Sequence, residues 1–297
     1  MTLQDLAARG IVSKDHSLAG MTTYKFGGIA DWYAEVETFD DLAEVTGTGV
    51  PFVILGRGSN TVISDRGYRG VVVKLAGEFS EITFDGDAVV AGGAVALPRL
   101  ARACAGEGRG GLEWYVGIPG SVGGAVVMNA GGHGSDTAEW LIHAKVLDAS
   151  TGKITDETPA DLDLDYRHSR LRANHIVLSA RFRTVPRPRD ESEALMRQIT
   201  AWRKEHQPGG TFNAGSVFKN PPGDAAGRVI DASGLKGFRV GGVSVSERHA
   251  NFFVADTAAC AQDVFDLVGA VQRAVSERTG IVLEPEIRFV GDFGVGT

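Results

Sequence analysis

Apolar and polar positions along this chain follow two different periods. Phe52–Leu55 and Val71–Leu75 are short apolar runs bounded by glycines, the pattern of buried strands. Leu97, Leu100, Ala101 and Cys104 recur at helical spacing, and Pro98 suits a first helical turn. From His175 to Arg183 the period drops to two, with Ile176, Leu178, Ala180 and Phe182 on one face and Arg181 and Arg183 on the other. That alternation predicts a half-exposed strand. Pro186-Arg187-Pro188 then breaks the pattern and is the best domain boundary. Beyond it, helices are predicted over residues 190–206 and 261–279. The second carries Val264, Val268, Val271 and Val275 on one stripe and stops at Gly280. Residues 281–290 read as a closing strand. The expected fold class is α+β, with a glycine-rich N-terminal portion split into 1–77 and 78–186 and a C-terminal domain over 187–297.

Composition narrows the picture. A chain of 297 residues with 43% hydrophobic and 23% charged content can bury a sizeable core. The formal charge of −7 argues against a nucleic-acid partner, which needs a basic face. Basic residues are nevertheless concentrated: Tyr166 to Arg189 contains seven arginines and no acid. Such local positive charge suits a small anionic ligand or a plain solvated surface equally well. Cys104 and Cys260 form no metal or disulfide spacing, and Cys104 lies on a helical apolar stripe, so a buried thiol is expected. No apolar run approaches the roughly 18 residues of a membrane span. The opening MTLQDLAARG lacks a signal peptide's apolar core. A cytoplasmic protein with no membrane partner is expected, and oligomeric state is not legible.

Glycine is the outlier, at 40 residues. Gly106-Glu107-Gly108-Arg109-Gly110-Gly111 spells GxGxxG, but it follows a predicted helix, whereas a dinucleotide fingerprint follows a strand. It reads as a helix-ending turn. There is no GxxxxGK[ST] loop, no GxSxG elbow and no metal-ligand spacing among the seven histidines, so no metal is expected. Two other segments carry more. Gly56-Arg57-Gly58-Ser59-Asn60 directly follows an apolar strand, and glycines there let successive backbone N–H groups converge on an anion. Alone, such a pentapeptide is more often an ordinary turn. Gly117-Ile118-Pro119-Gly120-Ser121-Val122-Gly123-Gly124 continues through Asn129 and Ala130, and seven of the eighteen residues from Gly117 to Gly134 are glycine. So little side-chain volume lets backbone press against a flat ligand. Ile118, Val122, Val126 and Val127 count against a long exposed loop.

Together the two segments resemble the FAD-binding domain of the para-cresol methylhydroxylase and vanillyl-alcohol oxidase type. The resemblance implies an FAD-binding domain followed by a smaller α+β substrate domain, with non-covalent FAD held by Gly56, Arg57, Gly58, Ser59, Asn60, Gly117, Ile118, Pro119, Gly120, Ser121, Gly123, Gly124, Asn129 and Ala130. Three further segments narrow it: Leu164-Asp165-Tyr166-Arg167-His168-Ser169-Arg170, Asn213-Ala214-Gly215-Ser216-Val217-Phe218-Lys219-Asn220-Pro221 and Leu283-Glu284-Pro285-Glu286-Ile287-Arg288-Phe289. With Ala226–Ile230, Gly234–Gly237 and His249-Ala250-Asn251-Phe252, they make nearly the whole chain similar to the UDP-N-acetylenolpyruvoylglucosamine reductase family. That resemblance implies NADPH as reductant and a nucleotide-sugar substrate carrying an enolpyruvyl ether. It gives Arg167 the substrate carboxylate, Ser216 the proton donor's role, and Glu286 that of a second acid. Tyr166, Lys219, Asn220 and Arg248 become substrate contacts.

Each residue has a plainer reading by itself: a solvated arginine, a serine in a turn, an exposed strand face for Glu284, Glu286 and Arg288. The ordered set is what favours catalysis. The sequence departs from the family pattern twice. The stretch between Arg167 and Ser216 has no room for the substrate-covering loop and tyrosine clamp of one branch, so the chain resembles the shorter-form branch. His206 stands before Gln207-Pro208 where a lysine is common, leaving Arg203 or Lys204 as alternatives for a diphosphate. An FAD oxidase of the same superfamily and a non-catalytic flavin sensor are the competing readings.

Overall fold

The computed structural model describes residues 1–210 and 212–294. The chain forms two compact units, one of residues 1–14, 32–57 and 70–202, the other of residues 15–31, 58–69 and from Arg203 on. The Pro186–Pro188 break lies inside the first unit. Val185–Pro186 pairs there with Arg109–Gly110, a short edge pairing of the kind that tolerates a proline. The chain leaves the unit only after Trp202, within the helix Arg189–His206.

A five-stranded antiparallel sheet organises the first unit, in the order Lys153–Glu157, Leu141–Asp148, His175–Arg183, Ala88–Gly92, Ile82–Asp85. His175–Arg183 is the strand its alternation predicts, but its apolar residues do not share one face. The register jumps from Lys145↔Ser179 to Val146↔Val177, leaving Leu178 as an extra residue. A one-residue bulge exchanges the faces of everything beyond it. Ile176 and Leu178 therefore join a core with the helix Phe39–Thr46 and the strand Tyr68–Leu75. Val177, Ala180 and Phe182 face another core, built on the helix Leu97–Gly106 and the short helix Val122–Val127. The bulge lets one strand serve two cores.

The helix Leu97–Gly106 buries Leu97, Leu100, Ala101 and Cys104, with proline in its first turn as expected. It ends where the GxGxxG spelling begins, with Glu107 as cap and Gly108 at φ 66°. Burial first, and then the Glu113 carboxylate nearby, push the Cys104 thiol up to about 12, which makes it an unreactive core group. The strand Phe52–Ile54 lies parallel to Tyr68–Leu75 at a sheet edge. It is only half-buried for that reason, with Leu55 just beyond it fully covered.

In the second unit the helix Ala261–Thr279 has the bounds its valine stripe predicts. It buries Val264, Val268, Val271 and Val275 and ends on Gly280 at φ 73°. It packs with the helix Ala226–Ala232 and a three-stranded antiparallel sheet, Arg239–Val240, Val243–Val245 and Phe253–Ala255. The expected strand over residues 281–290 is shorter: only Arg288–Val290 is regular, pairing in parallel with Thr61–Ile63. Pro285 makes a single bridge to Phe218 instead. Lys219 N–H donates to the Glu284 carbonyl and Glu286 N–H to that of Val217, so Pro285 stands where the pairing asks no N–H of it. No helix among the described residues is long and apolar enough to cross a membrane.

Candidate active site

In the first unit the two glycine segments touch. A Cβ on Gly56 would stand 2.6 Å from Ser121 Oγ, so the loops approach as closely as their lack of side chains allows. Ser121 caps the helix Val122–Val127 by accepting the Gly124 N–H at 3.5 Å. The Gly120 carbonyl accepts from Leu97 N–H, and Gly123 N–H donates to the Gly93 carbonyl. Val122 and Val126 lie in the core, with Ile118, Val127 and Ala130 packed against it. Pro119 and Gly124 remain exposed. Gly117 is buried, and a Cβ there would come within 2.8 Å of His133 Nε2. The segment is thus a core-anchored turn and short helix whose outer edge is backbone.

Asn129 and Arg167 meet in the same unit. Asp165-Tyr166-Arg167-His168 is a tight turn closed by mutual hydrogen bonds of Asp165 and His168. Arg167 takes φ 52° there and Asn129 φ 39°, left-handed values uncommon outside glycine. Three hydrogen bonds hold the two segments together. Asn129 Nδ2 donates to the Asp165 carbonyl at 3.0 Å, Arg167 Nη2 to the Gly131 carbonyl at 2.8 Å, and Ser169 Oγ to the Val127 carbonyl at 2.6 Å. Asn129 Oδ1 also accepts the Ala138 N–H at 2.9 Å. Its amide therefore serves to fix the arginine turn. Tyr166 is exposed, with its ring 5.1 Å from the Arg167 guanidinium carbon.

The second unit gathers Asn60, Ser216 and Glu286. Ser216 is half-buried, bridges Phe252, and follows Gly215 at φ 75°. Glu286 N–H reaches the carbonyl of Val217, the residue after Ser216. The Glu286 carbonyl accepts Asn60 Nδ2 at 3.0 Å, and Arg288 N–H donates to the Asn60 carbonyl at 2.9 Å. Gly58 packs on Met21 and Thr22, where a Cβ would fall 2.2 Å from the Met21 carbonyl oxygen. Lys219 Nζ pairs with Glu284 Oε1 at 2.6 Å, and Asn220 Oδ1 accepts Ala226 N–H at 3.0 Å, at the start of the helix Ala226–Ala232. Arg248 Nη1 donates to the Lys204 carbonyl at 3.1 Å and more weakly to that of Gln207. The expected substrate contacts thus also tie their own unit together. Asn251, to which the sequence reading gave no role, has its amide directed at the segment that carries Ser216.

The backbone supports the expected cofactor. The N–H groups of Arg57, Gly58, Ser59 and Asn60 donate no hydrogen bond among the described residues. Successive N–H groups left unpaired in this way suit a diphosphate. The close approach of Gly56 to Ser121 meets the other demand, a glycine-lined backbone surface. No group of histidine, cysteine and carboxylate side chains among the described residues could hold a metal ion.

Comparison with known proteins finds two domain models along the chain. Residues 30–157 match the model of an FAD binding domain, and residues 207–290 that of the UDP-N-acetylenolpyruvoylglucosamine reductase C-terminal domain. A UDP-N-acetylenolpyruvoylglucosamine reductase of Symbiobacterium thermophilum is 41% identical over 95% of this chain and 93% of its own length. One from Bacillus velezensis is 39% identical over 97% and 98%. The crystal structure of the Thermus caldophilus reductase superposes with a TM-score of 0.82 at 38% identity, covering 94% of this chain and 98% of that one. With the FAD-binding and C-terminal domains both present and the likeness running from end to end, the chain belongs to the UDP-N-acetylenolpyruvoylglucosamine reductase family.

Proposed function

We propose that this protein reduces UDP-N-acetylglucosamine enolpyruvate to UDP-N-acetylmuramate, with FAD as bound cofactor and NADPH as reductant, in the synthesis of peptidoglycan precursors. The observation that carries the reading is the end-to-end similarity to reductases of this name at about 40% identity. Two observations within the separate units support it: the Arg167 guanidinium is held on the Gly131 carbonyl, and the Glu286 N–H donates to the carbonyl of Val217, next to Ser216. Bound flavin, once reduced, supplies the hydride that adds to the β-carbon of the enolpyruvyl ether.

The protein's own groups account for the rest. Arg167 pairs its planar guanidinium with the substrate carboxylate, into which charge is drawn as the hydride arrives. Its hydrogen bond to the Gly131 carbonyl keeps the fork oriented, so little freedom is lost on binding. Ser216 delivers its hydroxyl proton to the α-carbon, and the new C–H bond quenches the enolate. Glu286, held at both of its peptide groups, serves as second acid and restores that proton. The serine proton and the hydride that the bound cofactor would supply add up to the saturation of one double bond.

The test is anaerobic NADPH oxidation by the purified flavoprotein, with and without UDP-N-acetylglucosamine enolpyruvate. Catalytic oxidation should appear only with the nucleotide. Bound flavin without substrate-dependent turnover would sink the reaction and favour an oxidase or a sensor.

A further inference from the structure

Asn251 is buried, at 4% exposure, and both ends of its amide are committed to one peptide neighbour. Its Oδ1 accepts the Phe218 N–H at 2.9 Å, and its Nδ2 donates to the Phe218 carbonyl at 2.8 Å. A primary amide carries a donor and an acceptor at the spacing of a neighbouring strand. The Asn251 side chain therefore replaces the strand that Phe218 lacks on that side. The Asn251 carbonyl meanwhile accepts the Val217 N–H at 2.8 Å. Three hydrogen bonds from one residue thus fix the two residues that follow Ser216.

The same peptides hold Glu286. The Val217 carbonyl accepts the Glu286 N–H at 2.8 Å, and Lys219 N–H donates to the Glu284 carbonyl at 2.9 Å. Ser216 and Glu286 lie on different segments, joined through backbone. What relates them is the 217–219 backbone, clamped by Asn251 on one side and paired with 284–286 on the other. Phe218 is buried against Phe253 in edge contact, so the clamp sits on a packed base.

The geometry points to Asn251 as a positioning residue for the protonation step, holding Ser216 and Glu286 in register through the Phe218 peptide. This rests on the assignment of Ser216 and Glu286 as catalytic groups above. It assigns Asn251 no contact with substrate, so substrate affinity is not what it controls.

The experiment separates the two half-reactions in holoenzyme carrying Asn251→Ala, Ser216→Ala, or both. Asn251→Ala should bind FAD and be reduced by NADPH within about twofold of the parent rate. Its reoxidation by the enolpyruvyl nucleotide should slow on the order of 10²-fold, the usual effect of a catalytic group misplaced by about 1 Å. The loss should fall on kcat, with KM little changed. The two losses should not multiply, because a misplaced serine and an absent one fail alike: the double variant should reoxidise no more slowly than Ser216→Ala. If Asn251→Ala does not fold, Asn251→Asp carries the same comparison, since it keeps the shape and the acceptor for the Phe218 N–H. Equal slowing of both half-reactions, or multiplicative losses beside a slow Ser216→Ala, would overturn the positioning role. Normal reoxidation by Ser216→Ala would instead remove the catalytic assignment, and this inference with it.

Discussion

Arg167 stands at a left-handed φ of 52° in a turn closed by Asp165 and His168, a conformation that usually costs about 1 kcal/mol for a side-chain-bearing residue. What over-determines it is local: Asn129 on the Asp165 carbonyl, Ser169 on that of Val127, and the guanidinium on that of Gly131. Arg167→Lys tests the purpose of that arrangement. Lysine keeps the charge, but its ammonium cannot hold the Gly131 carbonyl and also meet a carboxylate in one plane. We expect flavin reduction by NADPH to stay within about twofold. The kcat/KM for the enolpyruvyl nucleotide should fall on the order of 10²-fold, equivalent to about 3 kcal/mol of charge-assisted hydrogen bonding. Steady-state kinetics on the purified variant decide it, and an unchanged kcat/KM would remove Arg167 from the carboxylate. The YRHS segment stood out in the sequence, but the hydrogen bonds that hold its turn did not. Asn129 holds the turn whatever its expected cofactor contact, and Asn251 had no expected role, because an amide's partner is set by tertiary contact and leaves no trace in spacing.

Helices and strands were legible wherever one period ran without interruption. The helix Ala261–Thr279 has a clean valine stripe and a glycine stop, and its ends came out as read. His175–Arg183 came out in its bounds but not in its faces, because a bulge at Leu178 cannot be seen in alternation alone. Residues 281–290 failed as a strand because Pro285 pairs at one bridge only. The helix Ala261–Thr279 also depends on a group far away in sequence. Asp65 Oδ1 accepts the Ala261 N–H at 3.1 Å and Oδ2 accepts that of Gln262 at 3.0 Å. These are first-turn donors with no partner inside the helix. The Asp65 backbone is held just as closely, since a Cβ on Gly28 would fall 2.4 Å from its carbonyl oxygen. Asp65→Ala should therefore cost about 1–2 kcal/mol, the loss of a helix cap. Thermal unfolding should show Tm lowered by roughly 3–6 °C. An unchanged Tm would mean that solvent caps the helix equally well.

At the scale of the whole molecule, the sequence reading placed its boundary at Pro186–Pro188 because prolines punctuate local structure. Arg187 between them instead reaches into the first unit. Its Nη1 donates to Glu113 Oε1 at 2.7 Å, and Ser192 Oγ donates to the same oxygen at 2.7 Å, while Glu113 Oε2 accepts the Gly111 N–H at 2.8 Å. Glu113 and Ser192 are both buried. Through this carboxylate the turn at Gly111, the proline break and the first turns of the helix Arg189–His206 are joined. Burial alone would push the Glu113 pKa up, but the hydrogen bonds from Ser192, its own backbone, Arg187 and Gly111 outweigh it and hold the group below the usual glutamate value. The sign of the linkage follows. Stability from Glu113 is fully present above its unfolded pKa of about 4.3 and is lost as pH falls through the lowered folded value. Glu113→Gln keeps the shape and one acceptor but removes the charge, and should cost about 2–3 kcal/mol at pH 7, less than a fully buried pair because Arg187 is partly exposed. Melting curves of both proteins from pH 7 downward should keep their separation until pH falls below the unfolded glutamate range and converge only once it has passed the lowered folded pKa, where protonation makes the parent resemble the variant. A Tm difference that stays constant across that range would mean that Glu113 acts through its shape and not its charge.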